Sequence, residues 1–167
     1  MKTICLMRHA EAPNVIGKDF DRVLSNHGKN QATKAVEFLK DYNFDAIITS
    51  DAPRVLETSN PIEKLYPNAE IERHHLLYTG SCEDYIDIIE QALETYNNIL
   101  LIGHNPTILS TALKISEKTQ KSFNSIALEE MTPARIIVLK IKTEFSNPKI
   151  LDKCIIENIF DPKSTKA

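Results

Sequence analysis

Cysteine is scarce and scattered: Cys5, Cys82 and Cys154 are the only three in 167 residues. An odd number so widely spaced builds neither a disulfide framework nor a close-spaced zinc motif, so reduced thiols in the cytoplasm are expected. Long hydrophobic runs are missing too, and no stretch reaches the length of a membrane-spanning helix. The opening apolar run, Thr3 to Met7, is too short for a signal-peptide core. It runs into Arg8 and His9 with no small-residue cleavage site, so it reads as structure. Positive charge is not in excess: 20 Lys and Arg against 23 Asp and Glu give a formal net charge of −3. That leaves no electrostatic footprint for nucleic acid, and neither a nucleic-acid partner nor a membrane is expected. There is no internal repeat, low-complexity tract or linker. What remains, 42% hydrophobic over 167 residues, is enough for one globular core. We expect one domain over residues 1–160 and a C-terminal tail over 161–167 that frays.

Short apolar runs alternate with helix-period segments. "KTICLMR" is continuous and apolar, as a strand buried on both faces should be. Ser25 is an N-cap for the next segment, in which Ala32, Ala35, Val36 and Leu39 share one helical face. Gly28, a weak helix former at that start, leaves room for a close approach. "DAIITS" is a second buried strand, and Pro53 after it suits a helix's first turn, while Pro61 should kink or split that helix. "AEIERHHLLY", residues 69–78, reads as a third strand with an irregular exit. Ser81 and Asp84 have capping-box spacing before a helix that buries Tyr85, Ile88, Ile89, Ala92 and Tyr96. "NILLIGH" is a fourth strand. Asn105-Pro106 then reads as cap and first turn of a helix with Ile108, Leu109, Ala112 and Leu113 on one face. Segment 116–133 has no clear period. "ARIIVLKI" and "KILDKCIIENIF" read as two more strands joined at Asn147-Pro148. The expected fold is a three-layer α/β/α sandwich with about six strands, largely parallel and ending in an antiparallel hairpin.

Why should "LMRHAEAP" carry an apolar strand straight into Arg8 and His9? In an open α/β sheet, ligands bind beyond the carboxyl ends of the parallel strands. Three polar signals sit at such ends: Arg8-His9, Arg54 after the second strand, and His104 after "NILLIG". Helix starts follow, where free N–H groups and the dipole favour an anion. Singly, each has an ordinary reading: Arg8 snorkelling, His9 and His104 satisfied by neighbours, Arg54 solvated although the dipole slightly disfavours it there. Together they describe a phosphate pocket holding a candidate nucleophile.

"LMRHAEA", "LSNHGKNQA", "ITSDAPRVLET" and "LIGHNPTI", in this order and spacing, resemble the histidine phosphatase superfamily, the phosphoglycerate mutase-like enzymes. The short chain and its "RHAEA", "RVLS" and "GHNP" variants resemble the SixA branch, the phosphohistidine phosphatases. Ala10 stands where the superfamily most often has Gly. The resemblance implies that His9 is the nucleophile, taking the phosphoryl group onto a ring nitrogen before water removes it. It implies that Arg8, Arg54 and His104 are catalytic and bind the phosphoryl oxygens, with Arg22 of "DRVLS" a further phosphate-binding arginine. A phosphate- or sulfate-like anion should fit the pocket, no cofactor is implied, and nearby cations should keep His9 neutral.

Many members of this superfamily place a Glu or Asp general acid after the third strand. Here that region reads "HHLLYTGSCED" and holds no carboxylate before the glycine. Glu11 and Glu83 are the candidate proton donors, although Glu11 also suits a solvated turn and Glu83 a helix's first turn. An imidazole leaving a P–N bond needs protonation less than an alkoxide does. The expected substrate is therefore a histidine-phosphorylated signalling protein of phosphotransfer-domain or histidine-kinase type, reached without a cap domain over the pocket. The alternatives are a small-molecule phosphomonoesterase or mutase of the same superfamily, and a phosphate- or phosphoprotein-binding module without turnover. His74 and His75 lack acidic or Cys partners at ligand spacing, so no metal is expected. Cys5 reads as packing.

Overall fold

The structure is a computed structural model and describes residues 1–116, 130–141 and 154–163. Six strands form one sheet: β1 (Lys2–Arg8), β2 (Ala46–Thr49), β3 (Glu70–Arg73), β4 (Asn98–Gly103), β5 (Ile136–Ile141) and β6 (Cys154–Phe160). Their order is β3-β2-β4-β1-β5-β6. The first four are parallel, β5 runs antiparallel to β1, and β6 antiparallel to β5. The continuous apolar runs of β1 and β4 occupy the centre, where both faces are covered. Ile4, Leu6, Ile99 and Leu101 pack on one side, against α4 (Cys82–Thr95) and α5 (Thr107–Ile115). Cys5, Met7, Leu100 and Ile102 pack on the other, against α1 (Asn26–Leu39) and α2 (Pro53–Leu65). This is the three-layer sandwich expected from the alternating pattern.

Ser25 caps α1, its hydroxyl accepting the Gly28 N–H, and Ser81 with Asp84 forms a complete capping box on α4. At Gly28 an added Cβ would lie 2.2 Å from the Glu11 carbonyl oxygen, so the helix start can meet the loop after β1 only through glycine.

Four local expectations change. Pro61 lies inside α2, which runs unbroken from Pro53 to Leu65. The third strand stops at Arg73, and a short helix α3 (Leu76–Thr79) follows. Leu77 explains this: the helical turn drops it, fully buried, into the core beside α4. Asn105 does not cap α5, because Pro106 occupies the N-cap position after a cis Asn105–Pro106 bond and no side chain caps the helix. Leu113 on that helix faces solvent, and the buried positions are Ile108, Thr111, Ala112 and Ile115. Most of 116–133, the turn at Asn147-Pro148 and the last four residues lie outside the described residues.

Candidate active site

Three adjacent strands end together. In register, Arg8 of β1 faces Gly103 of β4, and Ile102 of β4 faces Thr49 of β2. The next residue on each strand is therefore His9, His104 and Ser50, side by side at the carboxyl edge. The His9 N–H donates to the Gly103 carbonyl (3.1 Å) and the Ser50 N–H to that of Ile102 (3.4 Å). Arg54 arrives from the first turn of α2. These residues line an open cleft of about 600 Å³ with Arg8, Asp19, Arg22, Tyr78 and the start of α5.

His9 is 5% exposed. Its Nδ1 lies 2.7 Å from the Ala10 carbonyl oxygen, which can only accept, so Nδ1 carries the ring proton. Nε2 is left with a lone pair, toward which Arg54 Nε–H donates at 3.3 Å. Burial is the main cause that drives the His9 pKa down to about 3. His104, Arg54 and Arg8 push the same way, and the Ala10 hydrogen bond opposes them. The ring is neutral at physiological pH, for a reason led by desolvation rather than by neighbouring cations alone.

His104, 8% exposed, sits with its ring centroid 5.3 Å from that of His9. Burial and then Arg54 lower its pKa to about 4, so it too is neutral. Its Nε2 lies 2.8 Å from Ser50 Oγ. That hydroxyl accepts the Ala52 N–H at 3.3 Å and has its own proton to donate to Nε2, the arrangement in which Nδ1 carries the ring proton. His104 Nδ1 and Arg8 Nε are both buried without a hydrogen-bond partner among the described residues. Unpaired buried donors are costly, and a tetrahedral oxyanion in the cleft would satisfy both.

The remaining arginines are held by short-range scaffolding. Arg8 donates to the Met131 carbonyl at 2.9 Å. Arg54, buried, donates to the backbone and carboxylate of Asp19 at 3.0 and 3.2 Å and stacks over Tyr78. Arg22 bridges the carbonyls of Ala12 and Pro13 and the Asp19 carboxylate. Thr58, one turn after Arg54 on α2, accepts the Ala10 N–H at 3.0 Å and donates to the Arg54 carbonyl at 2.7 Å. It thereby ties helix to loop. Ala10 is fully buried and is not among the residues with positive φ, so the missing glycine costs the turn nothing. The Ala134 N–H donates to the His9 carbonyl at 3.1 Å, from a residue strained at φ 63°.

Arg8, His9, Arg22, Arg54 and His104 thus meet in one cleft. Glu11 and Glu83 do not join them. Glu11 turns toward His27 (3.6 Å), and Glu83 pairs with Lys114 on the exposed side of α4, where that ion pair holds its pKa at about 2. His74 and His75 do have acidic partners in space, Glu72 and Asp51 at 3.0 and 2.8 Å. No cluster of three or more metal-ligating groups occurs among the described residues. Burial pushes the Cys5 thiol far up, which makes it inert packing. Tyr85 does more than pack: its hydroxyl accepts the His104 N–H at 3.1 Å and donates to the Leu77 carbonyl. Sequence reasoning missed Asp19, Ser50, Thr58 and Tyr78. The first three sit at readable offsets, three residues before Arg22, at a strand end and one helical turn after Arg54. Tyr78 was hidden by reading α3 as strand.

Residues 4–78 match the histidine phosphatase superfamily, branch 1. This histidine phosphatase match supports a phosphatase and covers Arg8, His9, Arg22 and Arg54, whereas His104 lies beyond it and reaches the site through β4. No curated protein matches the chain. The fold is shared with solved SixA structures. One, from Agrobacterium tumefaciens, with a provisional phosphohistidine phosphatase designation, is 22% identical over 96% of this chain and 98% of its own, with a TM-score of 0.79. Another, from Nakamurella multipartitia and named in the same provisional way, is 21% identical over 96% of each chain, with a TM-score of 0.81. A protein histidine phosphatase SixA bound to tungstate is 15% identical over 98% and 99%, with a TM-score of 0.80. No described helix is long and apolar enough to cross a membrane.

Proposed function

We propose that the protein removes phosphate from a histidine-phosphorylated signalling protein, carrying the phosphoryl group transiently on its own His9. The observation behind this reading is the His9 tautomer, with Nδ1–H given to the Ala10 carbonyl and an unprotonated Nε2 whose lone pair meets the Arg54 Nε–H at 3.3 Å. In the first step Nε2 attacks phosphorus, the P–N bond to the substrate imidazole breaks, and its electron pair stays on the departing ring. In the second, water takes the phosphoryl group, releasing inorganic phosphate and regenerating neutral His9. Arg8, Arg22, Arg54 and the Nδ1–H of His104 donate to the phosphoryl oxygens, each contact worth about 3–4 kcal/mol where charge develops in a water-poor site. No metal or cofactor is needed for either step.

Two features favour a protein substrate with a P–N bond. The cleft is open, and among the described residues only 74–81 separate β3 from α4. Neither candidate acid reaches the cleft, and an imidazole departs without one more easily than an alkoxide. A location in the cytoplasm is supported by the three scattered cysteines, Cys5, Cys82 and Cys154, all of them buried, and residues 1–160 are read as one domain.

The test is phosphate release from a phosphohistidine-bearing phosphotransfer protein, run beside a panel of phosphate esters, with His9→Ala in each case. Consumption of the phosphohistidine substrate, abolished by His9→Ala, is the expected result. Faster ester turnover would make this a small-molecule phosphatase, and binding of the phosphoprotein without turnover would make it a reader.

A further inference from the structure

Asp19 is the one carboxylate that lines the cleft among the described residues. It lies in a single 3-10 turn, Asp19–Asp21, of the loop between β1 and α1. Three donors converge on it: Arg22 Nη1 on Oδ1 at 3.0 Å, and Arg54 Nη2 and the Tyr78 hydroxyl on Oδ2 at 3.2 and 2.9 Å. The side chain is nevertheless 56% exposed. Oδ1 holds a single protein donor and so keeps acceptor capacity facing solvent at the mouth of the cleft. Its pKa is held at about 2 by the Arg22 and Tyr78 hydrogen bonds ahead of Arg54, so it carries no proton to give.

A fixed anion at the mouth acts on whatever leaves the phosphorus. Resting on the phosphohistidine reading above, we infer that Asp19 selects the leaving group by charge, accepting the ring N–H of a departing imidazole and disfavouring a departing alkoxide. When the unphosphorylated nitrogen of the substrate ring is protonated, breaking the P–N bond returns the electron pair to the phosphorylated nitrogen. The ring then leaves as neutral imidazole, keeping its proton. Without that proton it would have to leave as an imidazolide anion. The Asp19 carboxylate favours the proton-bearing ring. An ester places its electron pair on oxygen, and the growing negative charge meets a like charge, with no proton-bearing acid among the described residues of the cleft to quench it.

The competing account is that Asp19 only holds Arg54 and Arg22 in place. The two differ in the variant Asp19→Asn, which removes the charge. It keeps one acceptor oxygen, enough for Arg54 and Tyr78 on one side, with an NH2 in place of the oxygen that met Arg22. Initial rates are measured on a phosphohistidine-bearing protein and on p-nitrophenyl phosphate, with tungstate binding, which involves no leaving group, as the report on arginine placement. The expected result is a fall of about tenfold in kcat/KM on phosphohistidine relative to the ester, the scale of one partly exposed charge contact. Ester turnover should rise and tungstate should bind no more weakly. A parallel loss on both substrates with weaker tungstate binding would reduce Asp19 to a positioning residue and overturn the inference. A fall confined to the ester would make Asp19 an acid and overturn it as well. If the native protein releases no phosphate from phosphohistidine, the proposed function fails and the inference with it. If it does, and the substrate ratio is unmoved by Asp19→Asn, only the inference fails.

Discussion

Acid should destabilise this protein through its own histidines before its cleft carboxylate titrates. His9 and His104 are buried and neutral in the folded state, with pKa values brought from 6.5 to about 3 and about 4. The unfolded chain takes up both protons near 6.5, so between that value and about 3 it binds more protons than the folded protein. Stability must therefore fall as pH drops through that window. At pH 4 each histidine contributes a loss of about 3 kcal/mol, together a large part of a typical folding free energy of ~5–15 kcal/mol. Asp19, with its pKa lowered from 3.8 to about 2, acts in the same direction, but its share is lost between those values, below the pH of the assay. The assay is urea unfolding at pH 7 and pH 4.5, for the native protein and for a variant carrying His9→Gln and His104→Gln. The native midpoint should drop steeply and the variant's clearly less. Equal drops would refute the assignment of buried, neutral rings.

Two further outcomes follow from the scaffolding of the site. Ser50→Ala removes the donor to His104 Nε2, so the Nδ1–H of His104 is no longer enforced. We expect kcat to fall by about 10–100-fold with little change in KM, as supporting hydrogen bonds of this kind typically show. A drop in KM affinity alone, with kcat intact, would show that the serine merely packs. Gly28→Ala would force a Cβ against the Glu11 carbonyl, and chemical denaturation should register a loss of about 1–3 kcal/mol. An unchanged midpoint would mean the loop after β1 yields freely.

The fold was legible because burial on both faces leaves a plain trace: "TICLM" and "ILLI" are apolar without interruption, and those strands are the sheet's centre. Caps were legible for the same local reason, since Ser25, Ser81 and Asp84 act on their own helix starts. β3 was misjudged at its end because Leu77 obeys α4, a neighbour only in space. Arg8, His9, Arg54 and His104 announced themselves as charged or polar groups at strand and helix ends, where a core would reject them. Asp19 and Ser50 did not, because by residue type each looks like a solvated loop residue: the register of β4 and β2 brings Ser50 to the site, and Asp19 reaches it through Arg22, Arg54 and Tyr78. The groups that orient His9 are backbone acceptors, the Ala10 carbonyl for its Nδ1–H and the Gly103 carbonyl for its N–H, and backbone atoms leave no residue-type signal.

The most direct test of the account is to mix the protein with a phosphohistidine-bearing substrate, quench in base within the first turnover, and map the phosphoryl group by mass spectrometry. The account predicts an alkali-stable, acid-labile phosphoryl group on His9 that appears and decays during turnover and is absent from His9→Ala. Turnover with no phosphoryl group on the protein, or with one on any residue other than His9, would contradict it.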